Sequence, residues 1–219
     1  MKLTTLLFDF DGTIADTLPV CFHALRGVFL EYDGIHLDNE AIVALFGPTE
    51  PDIIRINLKR NAEAERAVER FYALYDTHHP ELVPVSDSIA SMLSDLKRQG
   101  YKLGIVTGKG SHSLAISLRH LGLSGLFDVE ISGDDVTVPK PHPEGVLLAM
   151  SRLQSTPEET VFLGDSIADV RAGKAAGVPT IAVQWFDHVQ TRAFEVEPDR
   201  LFTDPVQVTE YAALRNGIR

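Results

Sequence analysis

Four short polar segments of this 219-residue chain could together form one site for phosphoryl transfer. Each of them ends or closely follows an apolar run of the kind that forms a buried strand. Because an open α/β sheet binds its ligands at the carboxyl ends of its strands, carboxylates, a hydroxyl and an ammonium group would meet at one edge. No single segment decides the chemistry, but the ordered set does. The segments are residues 9–13, 107–108, 140–141 and 164–169.

The first segment offers two carboxylates. Asp9 and Asp11 flank Phe10 at the end of the first predicted strand, so we expect both to point the same way. One could attack phosphorus as a nucleophile, and the other could protonate the leaving oxygen and later deprotonate water. A lone Asp-x-Asp is common on solvated loops, but a position directly after an apolar run and before Gly12-Thr13 favours the catalytic interpretation.

The second and third segments offer groups that bind phosphate. Thr107 ends a predicted strand, and its hydroxyl together with backbone N–H groups around Gly108 would suit a phosphate oxygen. Lys140 stands between two prolines that restrict the backbone, and its ammonium could neutralise both the phosphoryl group and the nucleophile. Taken alone, Thr107 could equally be a helix N-cap, and Lys140 a surface lysine in a turn.

The fourth segment adds carboxylates for a metal ion. Asp165 and Asp169 stand four residues apart across the start of a predicted helix and therefore share a face. With Asp9 they would offer the hard oxygen ligands that Mg²⁺ prefers. The alternative is an ordinary acidic first turn that complements the helix dipole.

The elements that would position these groups alternate along the chain. Five short apolar runs are typical of buried parallel strands, and single helical patterns separate the last four of them. This alternation predicts an α/β fold, a doubly wound Rossmann-like parallel sheet with right-handed crossovers. The predicted strands are residues 5–9, 102–107, 129–132, 161–164 and 179–183, and the predicted helices of this core are residues 87–98, 111–121, 143–153 and 167–176.

The interval between the first and second predicted strands holds only helical patterns. It is far longer than a single crossover needs, so we expect an inserted all-helical cap subdomain there. The predicted cap covers residues 17–83, with helices at 18–32, 39–45, 53–60 and 63–78. Residues 1–16 and 84–219 would form the α/β core.

Composition limits the class of partner. The chain has 20 Lys and Arg against 31 Asp and Glu, which argues against a nucleic-acid or anionic-membrane surface, since such surfaces need clustered cations. No apolar run approaches the ~18 residues of a membrane span, and the N-terminal run is too short for a signal peptide. The single cysteine, Cys21, lies in a helical pattern and is expected to be a small core residue. We expect a cytoplasmic monomer or homodimer.

In this order, the four segments resemble the motifs of the haloacid dehalogenase superfamily of phosphatases and phosphomutases. The resemblance extends over essentially the whole chain, including the helical insertion. It implies Asp9 as the nucleophile and Asp11 as the acid/base. It also implies Mg²⁺ held by the Asp9 carboxylate, the Asp11 backbone carbonyl and Asp165, with Asp169 supporting the ion through water. The residues implied to bind the transferring phosphoryl group are Thr107 and Lys140.

Within that superfamily the chain is most similar to phosphoglycolate phosphatase and to related pyrophosphate-cleaving phosphatases. The shared features are residues 8–17, 46–50, 105–109 and 138–144. Asp11 disfavours the dehalogenase branch, which does not use a second Asp as acid/base. The β-phosphoglucomutase branch has a substrate-shuttling His at the position of Cys21. A non-catalytic binding module of this fold would be expected to lack a motif carboxylate or Lys140.

The resemblance therefore implies a Mg²⁺-dependent phosphatase that hydrolyses a small phosphorylated metabolite through an aspartyl phosphate. The alternatives are an inorganic pyrophosphatase or a phosphomutase. The cap should select the leaving group, because the core residues contact only phosphate and metal. Arg55 could meet a substrate carboxylate or second phosphate, or it could be a solvated helix charge, and Glu50 counts against a very highly charged substrate. The predicted substrate-binding residues beyond Thr107 and Lys140 are Thr49, Arg55, Gly108 and Lys109.

Overall fold

The computed structural model describes residues 2–188, 191 and 193–217. In this part of the chain, six parallel strands form one sheet in the order β3-β2-β1-β4-β5-β6. The first strand therefore lies near the middle of the sheet, between β2 and β4. The strands are β1 (Thr5–Phe8), β2 (Lys102–Val106), β3 (Val129–Ile131), β4 (Thr160–Gly164), β5 (Thr180–Val183) and β6 (Arg200–Phe202).

Nine helices accompany the strands within the described residues. The first five lie between β1 and β2, the next three follow β2, β3 and β4, and the last follows β6. They are α1 (Leu18–Asp33), α2 (Asn39–Val43), α3 (Glu50–Asn57), α4 (Ala64–Leu82), α5 (Asp87–Arg98), α6 (Ser111–His120), α7 (Glu144–Leu153), α8 (Ile167–Ala175) and α9 (Val206–Arg215).

Burial on both faces explains why the central strand is a continuous apolar run. Successive side chains point to opposite faces of a sheet. Leu6 and Phe8 accordingly pack in one apolar core with α5 and α9, whereas Leu7 packs in a second core with α7 and α8. Helices therefore cover both faces, and the predicted doubly wound fold is confirmed.

The five predicted strands are confirmed, with ends that differ by at most one residue. The pattern did not predict β6 or α9. Two of the three residues of β6 are exposed, so this edge strand has no apolar run. In α9 only Val208 and Ala212 are fully buried, which makes its apolar stripe weak.

Four helices occupy the predicted cap interval, and all differ from the predicted bounds: α1 and α2 by at most two residues, α3 and α4 by three or four. Helix α3 begins at Glu50 rather than at residue 53, because Pro51 is well suited to the first turn of a helix. Helix α4 continues through Pro80 to Leu82, beyond the predicted end at residue 78, and the Val83 N–H closes its last turn by donating to the His79 carbonyl. The predicted boundary of the cap at residues 17–83 stays a prediction, and "cap" is used below for this segment.

None of the helices in the described ranges is both long enough and apolar enough to cross a membrane.

A buried polar cluster joins α4 of the cap to α6 of the core. The Tyr75 hydroxyl lies 2.8 Å from Ser117 Oγ, and His79 Nε2 lies 3.0 Å from the same oxygen. The buried His79 ring stacks on His120, whose Nε2 lies 2.6 Å from Asp76 Oδ1. Burial, and to a lesser degree the neighbouring His120, lowers the pKa of His79 to about 4 from its ordinary 6.5.

Protonation of His79 should therefore destabilise the fold in mild acid. Because its pKa is lower in the folded than in the unfolded state, its stabilising contribution is complete above pH 6.5 and is lost as the pH falls toward 4. Between about pH 7.5 and about pH 5, the free energy of unfolding should fall by about 2 kcal/mol more in the native protein than in His79→Gln. Urea denaturation measures this difference, and equal pH dependence in the two proteins would contradict it.

Candidate active site

One cavity of about 320 Å³ collects the four predicted segments at the carboxyl edge of the sheet. Asp9 follows β1, Thr107 follows β2, and the segment after β4 begins α8, while Lys140 comes from the connection between β3 and α7. The cap forms the opposite wall. The core residues that line the cavity include Asp9, Asp11, Thr107, Gly108, Lys109 and Lys140, and those from the cap include Leu18, Cys21, Phe46, Pro48, Glu50 and Ile53.

Lys140 is shared by two carboxylates. Its Nζ lies 2.7 Å from Asp9 Oδ1 and 2.6 Å from Asp169 Oδ1, and it donates to the Val106 carbonyl at 3.2 Å. Burial raises the pKa of Asp9 to about 7, an effect that Lys140 opposes and that Asp169 increases. Although burial alone would lower it, Asp169 and Asp9 raise the pKa of Lys140 above its ordinary value. The lysine is therefore held as a cation beside the predicted nucleophile.

Asp169 is fixed at the start of α8. Its Oδ2 accepts hydrogen bonds from the Ser166 N–H at 3.0 Å and from the Ser166 hydroxyl at 2.6 Å. The Ser166 hydroxyl oxygen in turn accepts from the Asp169 N–H at 3.1 Å, which completes a capping box. Since Oδ1 binds Lys140, both carboxylate oxygens of Asp169 are engaged.

Three buried carboxylates have the spacing of a metal site. Asp9, Asp165 and Asp169 each offer an oxygen, and these oxygens lie within 4.8 Å of one another. Three carboxylates carry more negative charge than the ammonium of Lys140 balances, and buried charge is costly unless it is compensated. Hard oxygen ligands and excess negative charge together fit a divalent cation such as Mg²⁺.

Gly12 allows the first motif to pass close to Asp165. Its φ of 82° lies in the left-handed region, where glycine is unstrained. A Cβ atom at this position would lie 2.4 Å from Asp165 Oδ2, which is far inside van der Waals contact. The turn that carries Asp9 and Asp11 can therefore approach the Asp165 carboxylate this closely only without a side chain at residue 12.

A second lysine joins Asp11 to the cap. Lys109 Nζ lies 3.1 Å from Asp11 Oδ1 and 2.9 Å from Glu50 Oε1, and the second Glu50 oxygen accepts the Gly110 N–H at 2.8 Å. The Thr17 hydroxyl donates a short hydrogen bond to Asp11 Oδ1 as well. Although burial alone would lower it, the carboxylates of Asp11 and Glu50 raise the pKa of Lys109 well above its ordinary value.

The remaining predicted phosphate-binding groups lie together in the cavity wall. Thr107 and Gly108 line it beside Lys109, and the Thr107 hydroxyl oxygen accepts the Lys109 N–H at 3.2 Å. Cys21 also lines the cavity. Burial raises the pKa of its thiol, which favours its interpretation as a small packing residue over that of a nucleophile.

The structure does not bring Thr49 or Arg55 into the cavity wall. Thr49 is buried, and its hydroxyl donates to Asp52 Oδ2 at 3.2 Å. The Arg55 side chain is 43% exposed and forms an ion pair with Glu65 of α4 at 2.8 Å. This geometry favours the alternative interpretation of Arg55 as a solvated helix charge, which ties α3 to α4.

Two features of the wall are not evident from the sequence pattern. One is the pairing of Glu50 with Lys109, which the predicted start of α3 at residue 53 obscures. Pro51 is the signal that could have placed Glu50 in the first turn. The other is the apolar face formed by Phe46 and Ile53 with Leu18, which lies far from both in the sequence.

Comparison with known proteins identifies the family. Residues 6–183 match the model of the haloacid dehalogenase-like hydrolases. The chain belongs to this family. Its order of motifs, its parallel sheet and its helical insertion agree with the resemblance that the sequence predicted. Its curated relatives include hydrolases named pyrophosphatase.

Curated and solved members of the haloacid dehalogenase-like hydrolases resemble the chain over most of its length. Pyrophosphatase PpaX of Anoxybacillus flavithermus is 33% identical over 200 residues, which are 91% of this chain and 92% of that protein. The crystal structure of CbbY from Rhodobacter sphaeroides in complex with phosphate superimposes with a TM-score of 0.81 at 26% identity, covering 94% and 96% of the two chains. A crystal structure from Lactobacillus plantarum shares the fold at 23% identity, with a TM-score of 0.75 over 96% of this chain and 99% of that one.

The close approach at Gly12 can be tested with a matched glycine. Gly12 and Gly177 have similar positive φ angles, 82° and 75°, but a Cβ atom at Gly177 would have no neighbour within 4 Å. Gly177→Ala should therefore lower the free energy of unfolding only by the backbone strain of about 1 kcal/mol. Gly12→Ala should lower it by clearly more, because Asp165 must also shift. Urea denaturation compares the two, and equal losses would contradict the packing argument.

Proposed function

We propose that this haloacid dehalogenase-like hydrolase is a Mg²⁺-dependent phosphatase that hydrolyses a small phosphorylated metabolite through an aspartyl phosphate on Asp9. The observation that carries the proposal is the environment of the Asp9 carboxylate. It is buried, lines the cavity and lies 2.7 Å from the ammonium of Lys140. Lys140 opposes the protonation of Asp9 that burial favours, which helps to keep the carboxylate available for attack, and its fixed charge would stabilise the phosphoryl group during transfer.

The first chemical step forms the aspartyl phosphate. An oxygen of Asp9 attacks phosphorus, and the bond between phosphorus and the ester oxygen breaks. Protonated Asp11 gives its proton to the leaving oxygen. The Thr17 and Lys109 bonds both go to Asp11 Oδ1, so Oδ2 is the atom that would carry this proton.

The second step returns the enzyme to its starting state. Asp11, now a carboxylate, takes a proton from a water molecule, whose oxygen attacks phosphorus. The bond to Asp9 breaks, and phosphate is released with the nucleophile restored. Thr107 and Lys140 bind the phosphoryl oxygens in both steps, because their positions in the cavity wall do not depend on the leaving group.

Mg²⁺ would be held by the carboxylates of Asp9 and Asp165 and by the backbone carbonyl of Asp11. Asp169 would act indirectly, through Lys140 or a water molecule, since both of its oxygens are already engaged. When bound, the ion neutralises charge on the phosphoryl group and on the buried carboxylates.

Pyrophosphate hydrolysis is the second candidate function. It is favoured by the relatives named pyrophosphatase PpaX, which are about one-third identical to this chain. A phosphomutase is disfavoured by Cys21, which occupies the position of the shuttling His. The same core residues would serve an alcohol or a phosphate leaving group, so the cap side of the cavity decides between them.

The nucleophile is tested by Asp9→Asn. The amide cannot form an acyl phosphate, so phosphate release from p-nitrophenyl phosphate should fall by on the order of 10³-fold or more. Circular dichroism should show that the variant remains folded. Glu69→Gln, which removes an exposed acid from α4, should retain native activity. Robust turnover by Asp9→Asn would rule out Asp9 as the nucleophile.

The metal site is tested by the change in melting temperature on adding Mg²⁺ to chelator-treated protein. Binding to the folded state alone stabilises it, so the native protein and Glu69→Gln should both melt at a higher temperature with Mg²⁺. Asp165→Asn should lose this shift, because a neutral amide is a weaker ligand than a carboxylate. The shift is measured within each protein, so a change in basal stability does not affect the comparison. An unchanged shift in Asp165→Asn would refute the assignment of Asp165.

A further inference from the structure

We infer that this site prefers phosphate esters of small, uncharged, largely apolar alcohols over substrates whose leaving group carries a carboxylate or a second phosphate. Glu50 of the cap is the specificity-determining residue in this assignment. The inference rests on the proposed phosphatase function and specifies its leaving group.

The cavity has two chemically different sides. The core side carries the groups that contact phosphate and metal, whereas the cap side is mainly apolar. Phe46 stacks on Phe22 with ring centroids 6.1 Å apart, and Ile53 is almost fully buried beside it in the same core. Leu18 and Pro48 extend this surface along the cavity. A leaving group that points away from the phosphate site would therefore meet hydrocarbon, which favours burial of apolar rather than charged groups.

An anionic leaving group would need a cation on this cap side. Among the described residues that line the cavity, the cations are Lys109 and Lys140. Lys140 binds Asp9 and Asp169 at the core edge of the site. Arg55, the cap cation predicted to meet a substrate anion, is instead paired with Glu65 outside the cavity wall. Lys109 is therefore the cation that could serve a second anionic group.

The ammonium of Lys109 already forms an ion pair with Glu50. Lys109 lies between Glu50 and Asp11, and its Nζ also lies 4.7 Å from the centre of the Tyr75 ring, so its charge is compensated on several sides. The Lys109 side chain is only 1% exposed, which leaves little surface for a further ligand. The Glu50 carboxylate itself adds a negative charge to the wall, and a like charge on the substrate would be repelled.

The surrounding backbone holds Glu50 in this position. Its second oxygen accepts the Gly110 N–H at 2.8 Å, so both oxygens are used. The neighbouring Thr49 packs tightly on a core loop, because a Cβ atom at Gly133 would lie 2.6 Å from Thr49 Cγ2. Glu50 therefore cannot turn away from Lys109 without also losing its hydrogen bond to the Gly110 N–H.

Substitution of Glu50 by Gln isolates its charge. The amide has nearly the same size and can still accept the Gly110 N–H, but it no longer neutralises Lys109. Lys109 still pairs with Asp11, but the wall has lost one negative charge, so an anionic leaving group should bind better than in the native site. Glu69→Gln is the matched control, because it removes the same charge from an exposed position of the cap helix α4.

The experiment measures kcat/KM for propyl phosphate, phosphoglycolamide, phosphoglycolate and pyrophosphate in the native protein and both variants. Phosphoglycolamide and phosphoglycolate differ mainly in the charge of the leaving group. The native protein should favour the amide by about tenfold or more, and Glu50→Gln should reduce this ratio by about tenfold through faster hydrolysis of phosphoglycolate. Glu69→Gln should keep the native ratio.

Three other results would overturn the inference, the role of Glu50 or the proposed function. A higher kcat/KM of the native protein for phosphoglycolate or pyrophosphate than for the uncharged esters would overturn the inference while leaving the phosphatase function intact. This comparison uses the native protein alone, so it does not require any variant to fold. An equal loss for all substrates in Glu50→Gln would show a structural role and overturn Glu50 as the specificity determinant. Folded native protein that releases phosphate from none of the four compounds would refute both the inference and the proposed function.

Discussion

The Lys140 ammonium lies 2.7 Å from Asp9 and 2.6 Å from Asp169, and it also donates to the carbonyl of Val106. These partners come from the ends of β1 and β2 and from the first turn of α8, so one cation joins three elements of the sheet edge. Without it, two buried carboxylates would face each other uncompensated, which is strongly unfavourable. The same contact that holds the edge together also keeps a cation beside Asp9, the proposed nucleophile. Stability and chemistry at this edge therefore depend on one ion-pair network.

Lys109 has a corresponding role between the core and the cap. It binds Asp11, the proposed acid/base, and Glu50, which belongs to the first turn of α3. The Lys109 side chain therefore links the position of Asp11 to the contact between the cap and the core. In the proposed mechanism Lys140 binds the phosphoryl group, whereas Lys109 lies on the side of the leaving group. Under this proposal the core performs the reaction and the cap selects the substrate.

The sequence predicted the core better than the cap for a physical reason. Central strands such as β1 are buried on both faces, so their apolar runs are unambiguous, and the groups that follow them must meet at one edge. Edge strand β6 has two exposed residues and leaves no such run. In the cap, contacts join residues that are far apart in the chain: Glu50 meets Lys109, and Arg55 meets Glu65. No local periodicity encodes which of these charges faces the cavity. The sequence therefore offers Arg55 as a substrate-binding residue and does not reveal that Glu50 pairs with Lys109.

In the proposed mechanism Asp9 carries the phosphoryl group between the two steps. Acid quenching of the native enzyme during turnover of a ³²P-labelled phosphate ester with Mg²⁺, followed by peptide mapping, tests this step. An acid-stable, alkali-labile label is expected on the peptide that contains Asp9, and it should disappear when unlabelled substrate is added in excess before quenching. Label on a different residue, or rapid hydrolysis with no labelled protein at any time before the first turnover is complete, would contradict this mechanism.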